Sequence, residues 1–312
     1  MDYEKLGYLS ASFKFFHLRD IKKLEFQAHY HEFDKIILFL GGKVRYVIEG
    51  QTYRLFPYDI IFIGHNSIHY PIVDSSAAYE RVVIYINPLF LKKQSGRDGR
   101  LSYCFDYARQ NRSYVMHLDN IETNEILHQL KKLENSLNDT GFAQDIYTRV
   151  NFLEFMILLN RAIVDDSRNI NAAHEVSYDE NIMAVLAYIN KNLFSPMDID
   201  HIAGRFFVSK YYLMRRFKAK TGYSIHQYIL NKRLMTAKER IKSGVSLTQI
   251  CFDCGFKDYS AFSRSFKQAF GQTPRELKKA HENGLPPQIH SFNKSPATDE
   301  SGTCDENDNR SS

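Results

Sequence analysis

Two sets of side chains in this sequence have types and spacings suited to chemistry, and the chemistries differ. Arg215 and Lys218 recur 49 residues later as Arg264 and Lys267. Residues three apart are neighbours on a helix surface. Each pair therefore sets a planar guanidinium, able to grip guanine through two hydrogen bonds, beside an ammonium able to neutralise phosphate. His29, His31 and His69 form the other set. Residues two apart on a strand face the same way, so His29 and His31 can share a pocket with His69 from a later strand. Neutral imidazoles there suit a bound effector, a structural hydrogen bond or a metal ion. Cys251 and Cys254 make a C-x-x-C pair that alone would suggest half a zinc site or a redox motif. No second pair stands at finger spacing, and Cys251 aligns with Ala203 of the repeat described next, where a small residue fits between helices.

The basic pairs lie in a duplication. Asp198, Ile202 and Val208 match Ser246, Ile250 and Phe256 at an offset of 48, and Ser209, Leu213, Phe217 and Gly222 match Asp258, Phe262, Phe266 and Gly271 at 49, with Lys257 the extra turn residue. Asp198, Ser209, Ser246 and Asp258 are predicted helix N-caps, whose side-chain oxygens accept orphan backbone N–H groups. Leu213 and Phe217, like Phe262 and Phe266, are four apart and share a buried face. The opposite face carries Lys210, Tyr211, Met214, Arg215 and Lys218 in one copy, and Tyr259, Ser260, Ser263, Arg264 and Lys267 in the other. One basic helix is ordinarily a solvated surface. Two matched copies on a helix-turn-helix frame point instead to the major groove. Between them, Ile225, Ile229, Leu234, Ala237 and Ile241 follow a helical period, and Gly244 is the predicted stop. The predicted helix over 225–242 is a rod of about 27 Å, comparable with the roughly 34 Å between successive major-groove faces.

The run ICFDCGFKDYSAFSRSFKQAFGQTP at 250–274 and its echo IAGRFFVSKYYLMRRFKAKTGYS at 202–224 resemble the DNA-binding domain of AraC/XylS-type transcription regulators. The resemblance spans about residues 182–279. It implies that both second helices enter the major groove of promoter DNA, with Tyr211, Met214 and Arg215, then Tyr259, Ser260, Ala261, Ser263 and Arg264, nearest the bases. Ser209 and Lys210 open the first of these helices, and Lys218 and Lys267 are placed at phosphate. RNA polymerase is a further partner that such a regulator implies.

Charge is divided along the chain in the same sense. Residues 178–280 hold 18 Lys and Arg against 8 Asp and Glu, residues 1–177 hold 21 against 22, and the tail from 281 holds 2 against 6. The basic excess is concentrated where DNA would bind, which the whole-chain +5 conceals. The longest apolar runs, 36–40 and 155–159, are five residues against about 18 for a membrane span. With a charged, apolar-poor N-terminus and four cysteines without framework spacing, the expectation is a cytoplasmic protein with no membrane partner.

The N-terminal half reads as β structure. Residues 35–40, 44–48, 52–55, 60–63 and 81–86 are short β-branched or aromatic runs divided by turn signals such as Gly41-Gly42, Glu49-Gly50 and Pro57-Tyr58-Asp59. Such strands predict a small barrel or jelly roll. The H-Y-H at 29–31, the glycine turn, the Pro-x-Asp turn and His69 before a proline further on resemble a cupin, over about residues 25–90. The resemblance implies an effector-sensing pocket with His29, His31 and His69 in contact with a small molecule, and Lys35 and Tyr46 as further pocket residues. Metal-binding cupins carry an acid near the position of Lys35. An ammonium there disfavours a cation, so no metal, cofactor or catalytic residue is assigned.

Two apolar stripes follow: Ile126, Leu130, Leu133 and Leu137, then Ile146, Val150, Leu153 and Ile157, with a break at Asp139-Thr140-Gly141. They read as two helices packed on the barrel, and in regulators this chain resembles such helices pair two subunits into a homodimer. The expected fold is α+β in two domains: 1–118 a cupin-like β-barrel, 119–166 a helical dimerisation segment, 167–179 a linker, 180–281 an all-α domain of two helix-turn-helix units, and 282–312 a disordered tail. The expected function is sequence-specific transcription regulation controlled by a small molecule, a sugar or sugar derivative. A metal-dependent cupin enzyme fused to a DNA-binding domain, and an effector-independent architectural binder, are the alternatives.

Overall fold

A computed structural model describes residues 9, 11–21, 26–96, 99–118, 120–165, 176–241 and 243–283. The tail beyond 283, Cys304, Lys242 and most of the expected linker lie outside these residues. The N-terminal half contains β1 (Phe13–Asp20), β2 (Asp34–Gly41), β3 (Lys43–Ile48), β4 (Gln51–Arg54), β5 (Asp59–Ile63), β6 (His69–Asp74) and β7 (Tyr79–Ile86). Two helices, α1 (Pro88–Gln94) and α2 (Tyr103–Asn111), precede β8 (Val115–His117). The strands form two antiparallel sheets, ordered β1-β7-β2-β5-β8 and β6-β3-β4 plus one late strand, around a core that includes Ile36, Phe39, Tyr46, Ile60 and Ile84. All five strands expected from the sequence are present. The strand β6 is not readable because Pro71 lies within it; it is an edge strand, where a missing N–H is tolerated. The β3–β4 hairpin turns through Glu49 (φ 47°) and Gly50 (φ 85°), both left-handed, as a tight two-residue hairpin requires.

The connector consists of α3 (Asn120–Leu137) and α4 (Gln144–Asp165). Ile126, Leu130 and Leu133 are buried as expected, whereas Leu137 is exposed. The stripe expected on α4 is a correction. That helix carries apolar residues on two faces, and it buries Phe152, Phe155, Met156, Leu159 and Ile163 while leaving Ile146, Val150 and Ile157 exposed. The expected linker also contains structure: β9 (Val176–Ser177) pairs with Thr52 and Tyr53 of β4 and completes the second sheet.

Seven helices follow: α5 (Glu180–Lys191), α6 (Ile199–Arg205), α7 (Lys210–Thr221), α8 (Ile225–Ile241), α9 (Leu247–Asp253), α10 (Tyr259–Phe270) and α11 (Pro274–Glu282). They build two cores. Ile182, Leu186, Ile202, Leu213 and Phe217 belong to one, and Ile250, Cys251, Phe262, Phe266 and Leu277 to the other. The N-terminal half of α8 enters the first through Ile225, Tyr228 and Ile229, and its C-terminal half enters the second through Leu234, Ala237 and Ile241. Past α8 the chain turns at Gly244 (φ 82°).

Candidate functional site

Each helix-turn-helix unit is held at both ends by the side chains the sequence marks. Asp198 accepts from Asp200 N–H, Ser209 from Tyr212 N–H, Ser246 from Gln249 N–H and Asp258 from Ala261 N–H. Gly222 and Gly271, in left-handed conformation, end α7 and α10 by returning their N–H to Lys218 and Lys267 carbonyls. These caps and the buried Leu213, Phe217, Phe262 and Phe266 set which way the remaining side chains point. On α7, Lys210, Tyr211, Met214, Arg215 and Lys218 are exposed, with the Arg215 guanidinium 6.0 Å from the Tyr211 ring centroid. Lys210 is held at 2.6 Å by Asp200, whose hydrogen bond raises its pKa. On α10, Ser260, Arg264 and Lys267 are exposed. Tyr259 departs from the expectation of an exposed face: it is half-buried, its ring 5.8 Å from that of Phe262, and Ala261 and Ser263 are half-buried too. The exposed face of α10 is therefore less aromatic than that of α7. Cys251 and Cys254 are fully buried in the second core, and burial raises both thiols, Cys254 to about 11.

The three histidines converge. His29 is not within a regular strand but forms an isolated bridge to His69, with N–H to carbonyl distances of 3.2 and 3.0 Å. Their rings lie 4.3 Å apart, and His31 is 4.8 Å from His69 and 6.3 Å from His29. Each Nδ1 faces a backbone carbonyl: Gln27 at 2.9 Å from His29, Phe33 at 2.6 Å from His31 and Ser67 at 2.9 Å from His69. A carbonyl only accepts, so Nδ1 carries the proton in all three, and Nε2 offers a lone pair. The His31 Nε2 is buried without a hydrogen-bond partner, and that of His69 lies 3.5 Å from Lys35 Nζ. Burial, then the charge of Lys35 and the neighbouring imidazole His29, hold His31 well below the usual range; burial, then His29 and Lys35, do the same for His69. Tyr46 stacks on His69 at 6.2 Å.

Lys35 and Tyr46 line a cavity of about 10 Å³ with Phe26, Tyr79, Arg81 and Tyr85 among its other walls, at the lower limit for one water. Arg81, which sequence reasoning missed, is buried there, bonded to Asp20 at 2.6 Å and stacked on the Tyr79 ring at 4.0 Å. Among the described residues, no three His, Cys, Asp or Glu side chains are placed to hold one metal ion.

The same short segments also form the contact with the helical domain. Ala28 and Tyr30, which alternate with the histidines, pack against the first helix-turn-helix core, and Ile68, next to His69, is part of it. Ala28 O accepts from Tyr223 Oη at 3.0 Å, and a Cβ at Gly222 would collide with the Ala28 side chain. Glu32, next to His31, pairs with Lys238. Glu49, in its left-handed turn, accepts from Ile68 N–H at 2.8 Å, Lys232 Nζ at 2.8 Å and Tyr228 Oη at 3.1 Å. Asn66 donates to Glu239 at 2.7 Å. No motif marks these residues; only the alternation of positions 28–32 hints that two faces are in use.

Comparison with known proteins gives two family matches. A model described as a helix-turn-helix domain matches residues 202–280, and one described as an AraC-like ligand binding domain matches residues 17–155. The chain is 23% identical over 269 residues to the HTH-type transcriptional activator RhaS of Escherichia coli O1:K1, covering 85% of this chain and 92% of that one. Among solved structures, it is similar to ToxT from Vibrio cholerae O395, at 17% identity and TM-score 0.34 over 87% of this chain and all of that one. A transcriptional regulator with an AraC-type DNA-binding domain from Chromobacterium violaceum aligns at 29% identity and TM-score 0.31, covering 33% of this chain and 92% of that one. Among the described residues, no helix is long and apolar enough to cross a membrane.

Proposed function

Since the chain belongs to the AraC family of DNA-binding transcription regulators, joining an AraC-like ligand-binding domain to a helix-turn-helix domain, we propose that a small molecule held at the histidine cluster controls how α7 and α10 engage promoter DNA. One observation carries this reading: effector residues and domain-contact residues alternate on the same short segments. The rings of His29, His31 and His69 meet one another, with Lys35 reaching from the cavity wall to His69, while Ala28, Tyr30, Glu32 and Ile68 meet the helical domain. A ligand that moves the first set moves the second, because residue-by-residue alternation leaves no slack between them.

The ligand class follows from the donors and acceptors. Three imidazole Nε2 atoms that accept and one ammonium that donates match a polyhydroxy molecule, a sugar or sugar derivative, whose hydroxyls do both. The cavity of about 10 Å³ is too small for one, so binding displaces its walls; Phe26, two residues before Ala28, is the wall nearest the domain contact in sequence. Lys35, Tyr46 and the histidines are the contact residues in this reading. Tyr211, Met214 and Arg215, with Ser260 and Arg264, meet base edges, and Ser209, Lys210, Lys218 and Lys267 meet phosphate. The exposed stripe of α4 pairs two chains, and the resulting dimer works beside RNA polymerase.

The test couples the two sites. Sugars and sugar acids are screened by thermal shift on the full chain, and the affinity for a duplex selected by the protein is measured with and without each hit. A coupling of about 1–3 kcal/mol changes DNA affinity about 5–150-fold. Lys232→Met, which removes the tie to Glu49, is expected to retain ligand binding while shrinking that change. A ligand that binds at the cluster and leaves DNA affinity untouched would overturn the reading.

A further inference from the structure

The two helix-turn-helix units have separate hydrophobic cores that share only the helix α8. Apolar packing therefore holds each unit together but leaves the angle between them to whatever crosses the seam. The seam lies between Ile229, the last α8 residue in the first core, and Leu234, the first in the second.

Arg233 stands in that seam. Its Nε donates to Leu193 O at 2.7 Å, one terminal nitrogen to Ser195 O at 2.7 Å and the other to Gly255 O at 2.8 Å. Leu193 and Ser195 follow α5 in the first unit; Gly255 is in the turn between α9 and α10 of the second. One planar guanidinium thus ties three backbone carbonyls from two units, a geometry that only the rigid fork of arginine supplies. Arg240 adds a second tie, 5.5 Å over the ring of Phe194.

The repeat records this contact. Gly255 (φ 79°) and its counterpart Phe207 (φ 53°) both occupy a left-handed turn position. A Cβ at Gly255 would meet Phe194 O at 2.5 Å and Arg233 Cζ at 3.0 Å. Phe207 is 95% exposed, with nothing docked on it. The same backbone conformation accepts a large side chain in the unit whose turn is open, and only glycine in the unit whose turn is closed against its neighbour.

We propose that Arg233 is a positioning residue for DNA recognition: it clamps the second unit to the loop after α5, and so sets the distance and angle between α7 and α10 and hence the spacing at which one chain reads two DNA sub-sites. This rests on the reading of α7 and α10 as the two DNA-reading helices. Inserting one base pair between sub-sites moves the second by about 3.4 Å and rotates it by about 35°, which a rigid pair of units cannot follow.

The test uses the full-length protein, with duplexes enriched from a random library by the wild type. Affinity is measured by fluorescence anisotropy on the best duplex, on the same duplex with one or two base pairs inserted between its two parts, and on one with a single part intact. The wild type is expected to lose at least 30-fold on insertion. Arg233→Lys keeps the charge and removes the fork; Gly255→Ala wedges the same contact from the other side. Both are expected to lose less than 5-fold on insertion while binding the single-part duplex like the wild type. Either variant keeping the full insertion penalty would overturn the clamp. So would loss of single-part binding together with the helical circular-dichroism signal, since Arg233 would then serve only to fold the domain. A wild type that enriches no two-part site fails earlier, overturning the reading of both helices and the clamp with it.

Discussion

Arg215 and Arg264 occupy equivalent places on α7 and α10, one turn beyond the N-terminal end, and both guanidiniums are exposed. Their surroundings differ: Arg215 has Tyr211 beside it, whereas the place equivalent to Tyr211 is Ser260 and the second copy's tyrosine, Tyr259, stands at the place of Lys210 and packs against Phe262. If each grips a guanine, Arg215→Ala or Arg264→Ala costs about 1–3 kcal/mol on a selected duplex and little on a scrambled one. Lys218→Ala, by contrast, is expected to weaken both duplexes alike and reduce the salt slope by about one. Anisotropy on the two duplexes over a salt series separates the roles; an equal loss on both would place the arginines at phosphate.

At the scale of elements, α4 is the helix whose faces compete. Ile146, Val150 and Ile157 remain exposed at 55%, 53% and 41% on the side away from the buried Phe152, Phe155 and Leu159. Their spacing of four and seven residues, with the half-buried Leu153 between, is the spacing that a paired helix would use. Replacing Ile146 and Val150 together by Asp is expected to convert a dimer to a monomer in sedimentation equilibrium, with little change in melting temperature, because neither side chain supports the core. A wild-type protein that sediments as a monomer, or a double variant that stays dimeric, would refute the pairing. Periodicity could not choose between these faces, since both are apolar along almost the whole helix.

Across the whole molecule, histidines of the N-terminal domain close to the domain contact give opposite pH dependences. His65 bonds Asp34 at 2.7 Å and lies 3.9 Å from Glu239 of α8. Burial works against its charge and Arg109 opposes it slightly, but the hydrogen bond and charge of Asp34, with Glu239, outweigh these and raise its pKa. Its contribution is therefore fully present below about pH 6.5 and is lost as pH rises through the raised folded value. His31 and His69 are held neutral by burial first, then by Lys35 and neighbouring imidazoles. The unfolded chain takes up their protons near pH 6.5 while the folded chain does not, so this contribution falls as pH drops below that value. Two groups against one predict a net fall in melting temperature from pH 7 to pH 5. His31→Phe should make that fall shallower and His65→Gln should make it steeper. A His31→Phe protein with an unchanged acid slope would contradict the assignment of His31 as a buried neutral imidazole.

What the sequence by itself determined is local. An N-cap such as Asp258 reaches the N–H three residues on, Gly222 and Gly271 end helices because they accept left-handed backbone, and short β-branched runs between glycine turns form strands. Such rules act over a few residues, so the capped repeat, the strands and the basic C-terminal half were all legible. Tertiary structure decided what depends on the path of the chain between distant positions. It chose which apolar face of α4 is covered, turned Tyr259 inward, and paired a strand from the expected linker with β4. It also set Lys35 against His69, Glu49 against Lys232 and Arg233 against three carbonyls. Those partners are tens to nearly two hundred residues apart, and a charged or aromatic side chain carries in its sequence neighbourhood no mark of the group that will satisfy it.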